Sequence, residues 1–123
     1  MIIPKARHVR IENAGKGRTL AAKARLANRF LTRMIGLLGR SGLPEGEGLV
    51  IAPGSSIHTF FMRFPIDVVF VNREGVVLKT AANVRPWRLV FSPRGTRYTV
   101  ELPVGAIEAS QTERGDTLEF SVT

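Results

Sequence analysis

His58 and Asp67 stand nine residues apart in a run of mostly aromatic and aliphatic side chains, and they are the pair best suited to acid–base chemistry. An imidazole beside a carboxylate can move a proton or orient a water. That would make the chain a hydrolase-like enzyme. Ser55 and Ser56 lie only three and two residues before His58, a local spacing unlike a preorganised nucleophile–base pair. The structural alternative is that His58 donates to backbone at a strand edge and Asp67, beside Pro65, accepts from backbone N–H groups at a bulge. No glycine-rich phosphate loop and no serine nucleophile elbow occurs in the sequence.

Trp87 lies between Pro86 and Arg88, with Arg85 close by. It either plugs the sheet or lines a shallow groove with Arg85 and Arg88. With His58, Arg63 and Asp67 these residues form the expected ligand-binding set. Phe60, Phe61, Phe64 and Phe70, among dense apolar neighbours, are expected in the core. A second group is electrostatic. Residues 1–40 hold ten basic side chains against Glu12 alone, so the whole excess behind the net +8 lies in this first third. Arg18, Lys23, Arg25, Arg29, Arg33 and Arg40 predict weak, salt-dependent attraction to polyanions. Neither an aromatic-studded strand signature nor a helix-turn-helix pattern accompanies them.

Cysteine is absent, which excludes disulfides, a thiol nucleophile and cysteine-ligated metal. With two histidines, a polyhistidine metal site within one chain is excluded as well. No metal and no cofactor is expected.

The elements that must position these groups follow from period and punctuation. Val9 and Ile11 alternate with polar neighbours as a strand, and residues 13–17 turn it into a hairpin. Leu20, Ala22, Ala24 and Leu26 then predict a strand with small inward residues and a basic outer face carrying Lys23 and Arg25. From Asn28 the period lengthens: Phe30, Leu31, Met34, Ile35 and Leu38 predict a helix over 29–38, with Arg29 and Arg33 opposite and Arg40 at its end. Residues 49–51 form a short buried strand. An extended segment over 57–64 would place His58, Phe60, Met62 and Phe64 on one face and Ile57, Thr59, Phe61 and Arg63 on the other. Pro65 marks a bulge or break, and Val68–Val71 reads as a central strand covered on both sides. Asn72–Gly75 makes a hairpin, and residues 83–95 read as an irregular connection. Tyr98, Val100 and Leu102 form another strand, with Glu101 outward, solvated or paired with an arginine. Residues 104–111 can make one helical turn, and Leu118, Phe120 and Val122 a last strand. The fold expected is mainly β, a small β-sandwich-like or partly closed sheet with one short α-helix.

At 123 residues and 13.5 kDa the chain is expected to be one domain over 1–123. Its longest apolar runs fall far short of the roughly 20 residues that cross a bilayer, and its first residues lack an apolar signal core of about 7–15. A cytoplasmic protein without a membrane span is the expectation; oligomeric state is left open.

The block Ile57-His58-Thr59-Phe60-Phe61-Met62-Arg63-Phe64-Pro65-Ile66-Asp67-Val68-Val69-Phe70 stands between two others. Met34-Ile35-Gly36-Leu37-Leu38 lies upstream, and Glu101-Leu102-Pro103-Val104-Gly105 then Gly115-Asp116 lie downstream. In order and spacing over roughly residues 20–120 these blocks resemble the domain-of-unknown-function family 192. The resemblance implies a mostly β, sandwich-like domain with one short helix. It implies no reaction, substrate or partner. Many relatives carry a cysteine just before the Ile-His-Thr block, where this chain has Gly54-Ser55-Ser56, so a thiol-based role does not transfer. Some members carry export signals and this sequence does not. In the helix, Gly36-Leu37-Leu38 departs by one residue from the relatives' Gly-Leu-Met. The leading expectation is a non-enzymatic binding or accessory module for a small molecule, carbohydrate or protein. Catalysis by His58 and Asp67 and polyanion binding are the alternatives.

Overall fold

In a computed structural model that describes residues 7–27 and 42–123, the turn after Asn13 folds β1 (His8–Asn13) back onto β2 (Arg18–Ala27). Gly17 closes that turn at φ 62°, a left-handed conformation that glycine takes without a Cβ penalty. Further along come β3 (Glu47–Ile51), β4 (Ile57–His58), β5 (Ile66–Val71), β6 (Val77–Val84), β7 (Leu89–Val90) and β8 (Tyr98–Pro103). A single helical turn, α1 (Ala106–Ser110), precedes β9 (Leu118–Val122). Seven strands make one sheet in the order β6-β5-β8-β3-β2-β1-β9, while β4 and β7 pair separately as a ribbon. Only β2–β3 is parallel among these pairs.

The sheet curls until its two edge strands meet at one end. Val77 N–H donates to the Asp116 carbonyl at 2.8 Å, Gly115 N–H to Val77 at 2.9 Å and Leu118 N–H to Gly75 at 2.8 Å. The result is a half-barrel, the partly closed form of the expected mainly β fold. The expected helix over 29–38, and with it Arg29, Arg33 and Arg40, lies outside the described residues. Among the described residues no helix is long and apolar enough to cross a membrane.

Two apolar clusters share the sheet. Val9, Ile11, Leu20, Val50, Val69, Val71, Val100 and Leu118 fill the concave side. Leu49, Ile51, Ile57, Met62, Phe64, Ile66, Val68 and Phe70 pack on the convex side. β5 contributes to both by alternation, so all six of its residues are buried, as its apolar run predicts. Each such side chain contributes roughly 1.5–3 kcal/mol by leaving water.

Two expectations need correction. In β2 it is Ala21 that is buried and Ala22 that is exposed. Ile11 pairs with Ala21 but Val9 with Ala24, and this bulge moves the following side chains to the other face. Glu101 is not solvated: it is 5% exposed, because β8 lies between β3 and β5 and is covered on both faces.

A polar cluster unseen in the sequence joins the first hairpin to the α1–β9 connection. The fully buried Asn13 amide donates to Asp116 at 2.9 Å and to Thr112 Oγ1 at 3.3 Å. Lys16 Nζ donates to Asp116 at 3.0 Å and to the Gln111 carbonyl at 2.6 Å. The Asn13 hydrogen bond, helped by Lys16 and the Glu113 amide, holds the Asp116 carboxyl below its ordinary value of 3.8. The hydrogen bond to Asp116 pushes Lys16 above its ordinary 10.5. A depressed acid stabilises the fold above its unfolded pKa and loses that contribution as pH falls through the folded one. A raised base stabilises below its unfolded pKa and loses it as pH rises through the folded one. Thermal melts are therefore expected to show this cluster's full contribution between about pH 4 and 10. The deficit of Asp116→Asn against wild type should be largest on that plateau and shrink on acidification below it. A deficit constant down to pH 2 would contradict the linkage.

Candidate functional site

The outer ribbon is built from one buried threonine. Extension stops after His58, and the chain turns at once, Met62 N–H donating to the Thr59 carbonyl at 3.2 Å. The Thr59 hydroxyl donates to the Arg85 carbonyl at 2.6 Å and accepts from Arg88 N–H at 2.9 Å. Its main chain adds two more links, Thr59 N–H to the Arg88 carbonyl at 2.9 Å and Trp87 N–H to the Thr59 carbonyl at 3.0 Å. Thr59, wholly buried, thereby fastens the 59–62 turn to the 85–88 turn.

Below this junction the ribbon has two faces. Ile57 and Val90 pair across it and turn into the convex-side cluster. His58 pairs with Leu89 on the opposite face, away from the core. The polar links at the base are Ser55 N–H to Thr99 Oγ1 at 3.0 Å and Ser92 N–H to Ser56 Oγ at 2.7 Å.

The face that would ordinarily be polar is aromatic. Phe61 is 70% exposed, Phe91 66%, Trp87 57% and Leu89 52%. His58 stacks on Phe60 with ring centroids 4.8 Å apart and planes at 28°; Phe60 meets Trp87 at 5.8 Å and 25°. Phe61 closes the row against Trp87 at 4.6 Å, tilted by 59°. Both Phe61 (φ 68°) and Trp87 (φ 66°) hold left-handed backbone, which costs bulky residues roughly 1–2 kcal/mol each. The turns are kept in that state by the Thr59 hydrogen bonds, and the aromatic side chains are displayed rather than buried.

Several expected site residues converge here. His58, Arg63, Arg85, Trp87 and Arg88 belong to the ribbon and its turns, with the three arginines exposed. Trp87 does not plug the sheet. The expected extended segment is corrected: the turn at Thr59 buries Thr59, Met62 and Phe64 and leaves Phe60 and Phe61 outside. Phe64 and Phe70 are core, Phe60 and Phe61 are not.

Asp67 is elsewhere. It lies on the face of β5 that carries Val69 and Val71, whereas the ribbon covers the opposite face. Its carboxylate is 1% exposed and holds three backbone amides: Asn83 at 2.8 Å, Ile107 at 3.0 Å and Gly105 at 3.1 Å. Asn83 is the extra residue of a β6 bulge, and Gly105 and Ile107 begin α1. His58 Nδ1 accepts from Phe60 N–H at 3.3 Å. The sheet thus separates the acid–base pair, and no common cleft joins it. Among the described residues no group of three or more histidine, aspartate or glutamate side chains is arranged to hold a metal.

The basic set is divided. Arg18 is exposed at the hairpin end of β2, while Lys23 and Arg25, with His8 and Glu47, line a depression of about 200 Å³. Phe60, Phe61, Leu89 and Phe91 went unrecognised as a surface. One signal was available: adjacent Phe60 and Phe61 cannot both face inward from one strand.

Comparison with known proteins gives the chain its relatives. Residues 10–120 match the DUF192 family, described as an uncharacterized ACR. A UPF0127 protein of Pyrococcus furiosus is 35% identical over 114 residues, covering 89% of this chain and 96% of that one. One from Thermococcus gammatolerans is 35% identical over 119 residues, covering 92% and 76%. Two solved structures share the fold. A Sinorhizobium meliloti protein, provisionally called a transcription regulator, has TM-score 0.78 at 22% identity and covers 98% of this chain and 97% of its own. A Novosphingobium aromaticivorans protein of unknown function has TM-score 0.76 at 19% identity, covering 96% and 91%. At these identities they speak for architecture alone. The chain belongs to the DUF192 family, to which the blocks around His58 and Glu101 pointed.

Proposed function

We propose that this protein is a non-enzymatic binding module whose ligand face is the outer surface of the β4–β7 ribbon. One observation carries the reading: a row of exposed aromatic rings held in place by two left-handed backbone positions and a buried threonine. The strained turns leave Phe61 and Trp87 more than half exposed instead of packing them into the core, and such strain clusters at ligand clamps. Exposed tryptophan and arginine with no carboxylate among them match the composition of binding hot spots. Catalysis by His58 and Asp67 finds no support, since the two stand on opposite sides of a packed sheet.

The test is a thermal-shift screen of metabolites, oligosaccharides and peptides against wild type and Trp87→Gly. Glycine takes the left-handed conformation freely, so Trp87→Gly should stay within about 1 kcal/mol of wild type, relief of strain offsetting added chain entropy. A true ligand at a hundredfold excess over Kd raises the wild-type melting temperature by on the order of 10 °C and leaves the variant unmoved. Ligands that shift both proteins equally would place the site elsewhere.

A further inference from the structure

We infer that the ligand of this face is single-stranded nucleic acid, with bases against the aromatic row and phosphates against Arg63, Arg85 and Arg88. The inference rests on the ribbon being a binding face and adds what binds there. From Gly48 to Val100 the sequence holds two acids, Asp67 and Glu74, against Arg63, Arg73, Lys79, Arg85, Arg88, Arg94 and Arg97. Asp67 is buried and committed to backbone amides, and Glu74 sits in the hairpin between β5 and β6. Among the described residues no ion pair engages Arg63, Arg85 or Arg88. The surface is therefore aromatic and cationic at once, and its cations are guanidinium groups, which fork onto phosphate oxygens and stack on flat rings.

Ring geometry narrows the ligand further. His58, Phe60 and Trp87 lie within 28° of parallel from one to the next. Aligned rings suit flat partners, and every base has a π-face whatever its sequence. Acyl chains and aliphatic side chains have no use for such alignment. The row stands on an outer surface, so it reaches bases that are unpaired and not those inside a duplex.

The experiment titrates the whole protein into a labelled oligothymidylate of about 12 nucleotides, within the usual site size of a stacking platform. Parallel arms use a duplex of the same length and phosphatidylserine vesicles. Trp87 is the chain's single tryptophan, so its emission reports this face alone. The single strand should bind and quench Trp87, with log affinity falling against log salt at a slope of about −2 for three phosphate contacts. Trp87→Ala should weaken binding about tenfold. Arg85→Ser/Arg88→Ser, on exposed positions that keep the fold by circular dichroism, should weaken it similarly and reduce the slope to about −1.

Equal affinity for duplex and single strand overturns the inference in favour of bare charge. Vesicle binding that quenches Trp87, without oligonucleotide binding, overturns it in favour of an acidic membrane surface. Oligonucleotide binding indifferent to both variants overturns this inference and moves nucleic-acid binding to the basic first third; the ribbon reading falls with it only if thermal-shift ligands also act equally on wild type and Trp87→Gly. No oligonucleotide binding, with thermal-shift ligands lost in Trp87→Gly, overturns the nucleic-acid inference and leaves the binding face standing.

Discussion

Asp67→Ala is expected to destabilise the protein by about 4 kcal/mol. The carboxylate, itself 1% exposed, gathers three backbone amides: the buried Ile107 and the more exposed Gly105 at the start of α1, and Asn83 from the β6 bulge. Removing it leaves the Ile107 N–H dry and unpaired at roughly 1–3 kcal/mol, loses two further hydrogen bonds at about 1 kcal/mol each, and removes the negative charge that suits a helix start. Asp67→Asn keeps one acceptor oxygen and should fall about halfway. Urea unfolding of the three proteins measures this, read as a shift in midpoint with the slope unchanged. An alanine variant within 1 kcal/mol of wild type would mean that water replaces the carboxylate. The same variant, where still folded, should keep the ribbon's ligand affinity, since Asp67 lies beneath the opposite face of the sheet.

Thr59→Val comes second in size, at roughly 2 kcal/mol, and here location matters more than magnitude. Valine keeps the shape and loses the hydroxyl, stranding Arg85 O and Arg88 N–H, which the oxygen joins at 2.6 and 2.9 Å. The left-handed turns at Phe61 and Trp87 then lose their restraint. Collisional quenching of Trp87 should rise well below the melting temperature, and the Arg88 amide should exchange faster than those of β5. Thr59→Ser, which restores the oxygen, should recover most of both effects. If Thr59→Val lowers stability uniformly without loosening Trp87, the threonine is ordinary packing and the aromatic row holds itself.

Much of the main sheet was readable because its cues are local. The glycines after Asn13, the Asn72–Gly75 hairpin and the alternation in β8 and β9 each fix a strand from neighbouring residues. β5 declared itself as an apolar run, which only a strand covered on both faces can bury. The misreadings share a different cause. Ala21 and Ala22 exchanged places because a bulge is a property of two strands, and one strand's pattern does not contain it. Phe60 and Phe61 left the expected core because the Thr59 hydroxyl finds partners 26 and 29 residues away. Glu101 was placed by the strands on either side of it. The aromatic face was spelled out in two segments, around His58 and around Trp87, and only the β4–β7 pairing makes them one surface. Asp67 offered two roles, and the bulge opposite it, absent from its own neighbourhood, decided between them.

The half-barrel's seam carries a consequence for how the chain is made. β9 pairs with β1 along Val9–Asn13, and the Gly75–Val77 seam waits for Gly115–Leu118. Both joins link residues far apart in the chain, so loop-closure entropy is spent before they form and folding is slow for the protein's size. β5 and β8 precede β9 in the chain and can pair before β9 takes its place. Until then the edges of β1 and β6 are open to pairing with another chain, so association between unfinished copies is most favoured in the interval before the last strand docks.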